Sequence, residues 1–212
     1  MKVFLFKKSG KMSKAIISIS KEKGITITDD LEKADMIIDF SHFSILNDIL
    51  TKALKYKIPL VIGTTGYSDE DFLKIKESSK KIPIFYSANF SIGIQLIKNF
   101  IKVYQNHLDN TFIDIIEIHH TQKKDSPSGT ALSLKNEIEK YTNSKCTTHS
   151  IRSCNVIGEH KILFYKDDEK IEIKHNIENR KTFAKGSIKA AFFIKNKKNN
   201  LYNMEDLIKE NI

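Results

Sequence analysis

Short apolar runs alternate with amphipathic stretches through the first 90 residues of the chain. The predicted strands are Val3–Phe6, Ile25–Thr28, Met36–Phe40, Pro59–Ile62 and Ile82–Tyr86. The predicted helices are Met12–Ile19, Ile45–Tyr56 and Ser68–Ser79, and the acidic segment Asp29–Lys33 is typical of a helix start. Nearly continuous apolar runs are typical of strands buried on both faces, so this order of elements predicts an α/β fold with a doubly wound parallel sheet.

The pattern changes after residue 90. A long helix over Ile92–Leu108, an alternating strand over Thr111–His119 and a helix over Ser128–Tyr141 with Ser128 as N-cap are expected. The later predicted elements are strands Ile151–Cys154, Lys161–Tyr165 and Lys170–His175, and helices Ser187–Ile194 and Met204–Ile212. This order predicts a smaller α+β domain with a mixed or antiparallel sheet. We expect one domain over 1–90 and 187–212 and a second over 91–186.

The charge of the chain changes this picture little. Its formal net charge is +9, but lysines are spread along all 212 residues, and arginine occurs only at Arg152 and Arg180. A nucleic-acid-binding face should be clustered and richer in arginine, so a compositional bias explains the charge better. We expect no nucleic-acid partner.

The cysteines and the N-terminus bear on location. Cys146 and Cys154 have no partner ligands at metal-binding spacing, and two thiols in a chain of this size fit a reducing compartment. The first apolar run is too short for a signal peptide, and no stretch approaches the ~20 apolar residues that span a bilayer. The sequence predicts a cytoplasmic protein without a metal site and without a membrane partner.

The densest chemistry lies in Glu117–Ala131, which contains two adjacent histidines, two lysines and a Ser-Gly-Thr turn. Imidazoles exchange protons near neutral pH, and lysines with the free amides of a helix start bind anions. The alternative is one core histidine, one surface histidine and a solvated lysine loop. The combination favours a site that protonates a small substrate with several negative charges.

Three other segments follow predicted strands, where ligands sit in open α/β sheets. They are the turn with Gly10 and its lysines, the Gly63–Gly66 loop and the Ser87–Gly93 loop. Glycines and threonines suit close approach of a ligand, although a flexible turn or a domain hinge explains the last two loops equally well. Gly10 alone remains of a G-x-G-x-x-G pattern, but a helix start beside Lys7, Lys8 and Lys11 still suits a phosphate.

The segment Glu117–Ala131 resembles the signature of the bacterial 4-hydroxy-tetrahydrodipicolinate reductase family, also called dihydrodipicolinate reductase. The blocks Val61–Gly66, Ala88–Gly93, Val156–His160 and Arg180–Gly186 follow in the order of the family. This resemblance implies a Rossmann-like cofactor domain with an α+β domain that binds substrate and forms a homotetramer. It also implies NADH- or NADPH-dependent reduction of a small dicarboxylate in the diaminopimelate and lysine pathway.

The resemblance implies roles for individual residues. His119 matches the proton donor/acceptor, Lys123 a second proton donor, and His120 a substrate-binding position. Gly129 and Thr130 match the turn that grips a carboxylate. The implied cofactor-binding positions are Lys7, Gly10, Lys11, Met12, Gly63, Thr64, Thr65, Ser87, Ala88, Asn89, Phe90, Arg180 and Phe183.

The chain departs from the family pattern near the adenosine end of the cofactor. It is shorter than typical members, and one strand–helix unit after the first helix is missing. Asp29 or Asp30 stands at the separation from Gly10 expected of a ribose-binding acid, whereas alignment with the family makes them a helix start. The choice between NADH and NADPH therefore stays open. The eroded glycine pattern also motivates a second hypothesis, a relative that binds a dicarboxylate without turnover.

Overall fold

The structure is a computed structural model, and it describes residues 1–210. The strands are β1 (Lys2–Leu5), β2 (Thr26–Thr28), β3 (Met36–Asp39), β4 (Leu60–Ile62), β5 (Ile84–Tyr86), β6 (Phe112–His119), β7 (Lys145–Arg152), β8 (Gly158–Lys166), β9 (Glu169–Ile177) and β10 (Leu201–Tyr202). The helices are α1 (Lys11–Ser20), α2 (Leu46–Tyr56), α3 (Asp69–Ser79), α4 (Ile92–Val103), α5 (Gln105–Leu108), α6 (Gly129–Tyr141), α7 (Lys181–Ile194) and α8 (Met204–Lys209). Of the predicted helix Met204–Ile212, the positions Asn211 and Ile212 lie outside the described residues.

The chain forms two compact units. Unit 1 contains Met1–Ile92 and the segment that starts at Arg180, and unit 2 is Gly93–Asn179. The predicted boundary at 186/187 falls inside α7, whereas the structure assigns the whole of α7 to unit 1. The reason is packing, because Ala184 is fully buried in the same cluster as Val3 and Phe85. No helix in residues 1–210 has the length and apolar character needed to cross a membrane.

Unit 1 is built on a six-stranded parallel sheet in the order β10-β5-β4-β3-β1-β2. Neighbouring residues of one strand point to different faces, so Val61 packs with residues of α1 and α7 while Leu60 and Ile62 pack with residues of α2 and α3. Both faces are thus covered by helices, which explains the nearly continuous apolar runs of these strands. The predicted doubly wound sheet is confirmed.

Two predictions about helices were wrong. Residues Asp29–Lys33 form a turn, because the Asp30 side chain accepts a hydrogen bond from the Glu32 amide, and β3 begins soon afterwards. The single helix predicted over Ile92–Leu108 is interrupted at Tyr104. The other helices agree with the prediction to within a few residues, except that α7 begins before the predicted Ser187.

Unit 2 is built on a four-stranded sheet in the order β7-β6-β8-β9. The β6–β7 pair is parallel, while β6–β8 and β8–β9 are antiparallel, so the sheet is mixed. β6 alternates as predicted, and its Ile113 and Ile115 pack with residues of α4 and α6. The predicted strand Ile151–Cys154 was misplaced, because β7 runs over Lys145–Arg152. The polar segment Lys145–Ser150 has no apolar alternation, and backbone pairing with β6 makes it a strand.

Candidate active site

The centre of the candidate site in unit 2 is the carboxyl end of β6. Glu117 and His119 are two residues apart on one strand, so both side chains lie on its buried face. Glu117 is 0% exposed and His119 is 8% exposed. The Nδ1 atom of His119 hydrogen-bonds Oε2 of Glu117.

The second oxygen of Glu117 is held by other elements. Its Oε1 accepts a hydrogen bond of 2.7 Å from Nη2 of Arg152, the last residue of β7. It also accepts one of 3.3 Å from the amide of Ser128. The same Arg152 Nη2 donates to the carbonyl oxygen of Asp125 at 2.6 Å, which ties the loop after β6 to the sheet. The buried carboxylate is therefore satisfied at both oxygens, as a buried charge requires.

These contacts set the ionisation of the pair. Burial opposes the charge of Glu117, but hydrogen bonds from Arg152 and His119 hold its pKa below the ordinary value. Burial lowers the pKa of His119, and the Glu117 carboxylate opposes this only in part. The pair at neutral pH is therefore an ionised carboxylate with a neutral imidazole.

A second buried histidine lies beside the first. His160 of β8 is opposite Glu117 in the sheet register, and its ring centroid is 5.2 Å from that of His119. Its Nε2 is 3.3 Å from the hydroxyl oxygen of Ser128. Ser128 is the N-cap of α6, and the same oxygen accepts a hydrogen bond from the amide of Ala131. Burial lowers the pKa of His160 to about 4, so this ring is neutral.

The loop between β6 and α6 carries the remaining residues predicted in unit 2. Nζ of Lys123 lies 2.7 and 2.8 Å from the carboxylate oxygens of Asp125. His120 follows the end of β6, and its Nδ1 is buried without a partner among residues 1–210. Gly129 and Thr130 form the first turn of α6, and space is open where a Gly129 side chain would lie.

Unit 1 has its own candidate site at the carboxyl ends of β3 and β4. A cavity of about 380 Å³ is lined there by Met12, Phe40, Ser41, His42, Phe43, Gly63, Thr64, Thr65 and Gly66. The fully buried Asp39 organises this cavity, since it accepts hydrogen bonds from the hydroxyls of Ser41 at 2.5 Å and Thr64 at 2.6 Å. Burial raises the pKa of Asp39 above its ordinary value although both hydroxyls oppose this. Gly63 is required for packing, because an added Cβ would lie 2.0 Å from the Phe40 ring.

The other cofactor positions lie on neighbouring loops of unit 1. Gly10 is the N-cap of α1 with an ordinary negative φ, so the turn between Lys7 and Met12 closes without further glycines. Lys8, in the same turn, pairs with Asp29, which directly follows β2. Lys7 and Lys11 are exposed beside them.

The last set follows β5 and begins α7. Ser87, Ala88 and Asn89 form a turn in which the Ser87 hydroxyl donates to the Asn89 carbonyl at 2.7 Å, and Ala88 is exposed. Phe90 is only 2% exposed and packs with Phe40 and Phe85, so its side chain belongs to the core. Arg180 is the N-cap residue of α7, and Phe183 is partly buried against the same core.

Several residues of these two sites were missed by sequence analysis. Glu117, Arg152, His160 and Asp39 had no assigned role, and Ser128 was expected only as a helix cap. The strand alternation was a usable signal for Glu117, because it puts residues 117 and 119 on one face. Arg152 and His160 become neighbours only through strand pairing. Within the described part of the chain, no group of three or more His, Cys, Asp or Glu side chains is arranged to hold a metal ion.

Comparison with known proteins agrees with this architecture. A relative from Brachyspira hyodysenteriae, named 4-hydroxy-tetrahydrodipicolinate reductase, is 42% identical over 212 residues that cover 90% of this chain and 92% of that protein. One of the same name from Clostridium novyi is 38% identical and covers 98% of both chains. The solved structure of dipicolinate-bound dihydrodipicolinate reductase from Paenisporosarcina sp. TG-14 has the same fold, with a TM-score of 0.78, 22% identity, and coverage of 96% of this chain and 97% of that one.

Family models extend the match over nearly the whole sequence. The model described as dihydrodipicolinate reductase, N-terminus, matches residues 1–90, and the one described as dihydrodipicolinate reductase, C-terminus, matches residues 93–208. The two matches fall on opposite sides of the first boundary between the units. The chain therefore belongs to the dihydrodipicolinate reductase family.

Proposed function

We propose that this chain catalyses the NAD(P)H-dependent reduction of 4-hydroxy-tetrahydrodipicolinate to tetrahydrodipicolinate in diaminopimelate and lysine biosynthesis. The observation that carries the proposal is the arrangement at the end of β6. There a buried imidazole lies on a strand whose next loop holds a carboxylate-binding lysine and leads into the start of α6. Such a site suits the protonation of a dicarboxylate ring.

The substrate binds through charge and peptide donors. We propose that Lys123, His120 and the first turn of α6, with Gly129 and Thr130, hold the two carboxylates. The contact between Lys123 and Asp125 supports this, because a carboxylate already occupies the ammonium group in the free protein. A substrate carboxylate can replace Asp125 there, and the helix dipole favours an anion at the same place.

The residues of unit 1 fit a nicotinamide dinucleotide. The cavity at Gly63–Gly66 lies at the carboxyl ends of parallel strands, and the lysine-flanked start of α1 has only a glycine as its cap. We propose that these loops, with Ser87–Phe90 and the start of α7, hold NAD(P)H, which supplies the hydride when bound. The turn around Gly10 closes without the other fingerprint glycines. The relatives that match most of the chain are named as reductases, so nothing supports the alternative of a binding protein without turnover.

The chain accepts either NADH or NADPH in this proposal. Asp29, directly after β2, pairs through its carboxylate with the ammonium group of Lys8 in the turn after β1. A carboxylate suits the ribose hydroxyls of NADH, and an ammonium group suits the additional phosphate of NADPH. Values of kcat/KM measured with each cofactor would therefore be of the same order.

His119 and Lys123 supply the proton. Loss of the 4-hydroxyl group as water gives a conjugated C=C–C=N system in the ring, and hydride addition to this system leaves an electron pair on a ring carbon. His119, protonated at Nε2, gives its proton to that carbon and returns to the neutral form, while Lys123 is the second donor. The proton is then restored from solvent.

We also propose a cytoplasmic homotetramer. The free thiols Cys146 and Cys154 support a reducing compartment. The open face of the unit 2 sheet is the face that α4 and α6 do not cover. Large apolar side chains on this face support self-association, with Phe112 69% exposed and Ile151 44% exposed.

The test uses purified protein, the product of dihydrodipicolinate synthase and either cofactor. Cofactor oxidation should require the synthase product, and H119Q or K123A should lower kcat by roughly 10²–10⁴, the range for lost acid–base catalysis. K124A, which changes the adjacent exposed lysine, is the matched control and should keep activity. Full activity in an H119Q/K123A double variant would contradict the assigned roles.

A further inference from the structure

We propose that Glu117 is a positioning residue for proton transfer: its carboxylate, anchored by Arg152, fixes the His119 imidazole with a proton on Nδ1 and leaves Nε2 to serve the substrate. The inference rests on the proposed function for one point, that His119 transfers the proton. The remaining steps depend only on contacts within unit 2.

Glu117 must act through another residue. Its side chain is 0% exposed, so it cannot touch a bound substrate. It shares the buried face of β6 with His119, and the strand fixes the separation of the two side chains. β6 is a central strand of the sheet, paired with β7 on one side and β8 on the other, so this placement is rigid.

The carboxylate is itself held in one orientation. Oε1 accepts from Arg152 Nη2 and from the Ser128 amide, and Oε2 accepts from His119 Nδ1. An ionised carboxylate only accepts hydrogen bonds, so the ring nitrogen that faces it must carry the proton. Because Nδ1 is occupied in this way, Nε2 is the nitrogen that exchanges protons with a ligand.

The ring has room for this orientation because residue 158 is glycine. Gly158 directly precedes Glu159, the residue of β8 that is paired with Ile118, and a Cβ added to Gly158 would lie 3.1 Å from His119 Nε2. A side chain there would press on the nitrogen that the proposal makes functional. The glycine of the Gly-Glu-His segment thus has a steric reason at this position.

The charges around His119 define what the carboxylate contributes. Among the charged groups that act on His119, Glu117 favours the protonated ring, whereas Lys123 and Arg152 disfavour it. The other titratable groups near the His119 ring are Arg152 on β7, His160 on β8 and Lys123 in the following loop. Two further groups contact these neighbours: His175 on β9 lies beside His160, and Asp125 pairs with Lys123. The cations among them disfavour imidazolium, so Glu117 is needed when Nε2 takes up its proton.

The test compares E117Q with E117D and with D114N. In E117Q the amide can donate to Nδ1, which favours the tautomer with its proton on Nε2. E117D keeps a carboxylate at shorter reach. D114N is the matched control, because Asp114 of β6 also pairs with a histidine. Its Oδ1 lies 2.7 Å from Nε2 of His149 on β7, on the face of the sheet opposite Glu117.

Two kinds of measurement distinguish a Glu117 that orients His119 from one that only stabilises the fold. In ¹⁵N NMR spectra of the free proteins, with His119 assigned by comparison with H119Q, wild type and D114N should show the Nδ1–H tautomer, and E117Q should not. In kinetics, E117Q should lower kcat by at least about 100-fold, as removal of a histidine-orienting carboxylate does elsewhere, with KM for the substrate nearly unchanged. E117D should recover part of kcat.

The pH profile adds a third expectation. Loss of the carboxylate charge should move the alkaline limb of kcat/KM for E117Q to lower pH, because the protonated ring loses its stabilising partner. D114N should keep the wild-type profile.

The proposal is overturned if wild-type His119 carries its proton on Nε2, or if E117Q keeps the wild-type kcat and pH profile. If E117Q does not fold, the wild-type tautomer and the partial recovery in E117D still decide. A wild-type protein with the Nδ1–H tautomer but no reductase activity would refute the proposed function and leave the orienting contact intact.

Discussion

The buried histidine His160 should make the stability of the fold depend on pH, which can be measured independently of activity. His160 is 4% exposed, and burial lowers its pKa to about 4, whereas an unfolded histidine titrates near pH ~6.5. Between these two values the unfolded chain binds a proton that the folded chain does not. The folded state should therefore lose stability as the pH falls from about 6.5 to about 4, by up to about 3 kcal/mol from this residue.

Urea unfolding at several pH values checks this expectation. H160Q should flatten the dependence of the free energy of unfolding on pH in that window. H107Q is the control, because His107 is exposed on α5 and makes no side-chain ion pair among the described residues, and it should keep the wild-type dependence. An unchanged slope in H160Q would show that other groups cause the acid sensitivity.

At the scale of elements, the contact between α7 and the loop after β5 holds one side of the candidate cofactor site. Gly186 lies inside α7, and a Cβ added there would be 1.9 Å from the Phe90 carbonyl oxygen. Backbone cannot move away from such an overlap without a shift of the helix or the loop. Glycine in a helix interior costs about 1 kcal/mol relative to alanine, so close packing explains its presence here.

We expect G186A to lower the free energy of unfolding by about 1–3 kcal/mol, the range for overpacking in a filled core. G129A is the matched helical control, since no atom lies within 4 Å of a Cβ added at Gly129. Its stability should change by less than about 0.5 kcal/mol. Urea denaturation of both variants measures the difference, and equal stabilities would contradict the packing argument.

At the scale of the whole molecule, the open face of the unit 2 sheet is the feature that a single chain leaves unexplained. Strand alternation places Phe112, Ile116 and Ile118 on this face, with Ile151 and Tyr165 as their cross-strand neighbours. Exposed apolar side chains in such a patch are typical of an interface. The proposed homotetramer would cover them with further copies of the chain.

Light scattering coupled to gel filtration tests this assembly. F112E should give a smaller species than wild type, because burying a charge in an apolar contact is costly. L73E is the control, since Leu73 is similarly exposed, at 63%, on α3 of unit 1. A monomeric wild type, or an F112E protein with the wild-type mass, would refute the tetramer built through this face.

Much of the fold follows from local patterns. The buried strands of unit 1 have continuous apolar runs because both of their faces are covered, and β6 alternates because only one face is packed by helices. Asp29–Lys33 misled the prediction because acidic residues suit both a helix start and a side-chain-stabilised turn. The strand β7 was misplaced because its polar residues are held by backbone pairing alone.

The sequence by itself determined the order of the elements, the α/β class and the segment that carries the chemistry, since these depend on residue type and on spacing between near neighbours. The tertiary structure decided which distant residues serve His119. Arg152 reaches Glu117 only because β7 pairs in parallel with β6, and His160 lies opposite it only because β8 returns antiparallel. Pairing register is set by the packing of the whole unit, so no local pattern of the chain specifies those contacts.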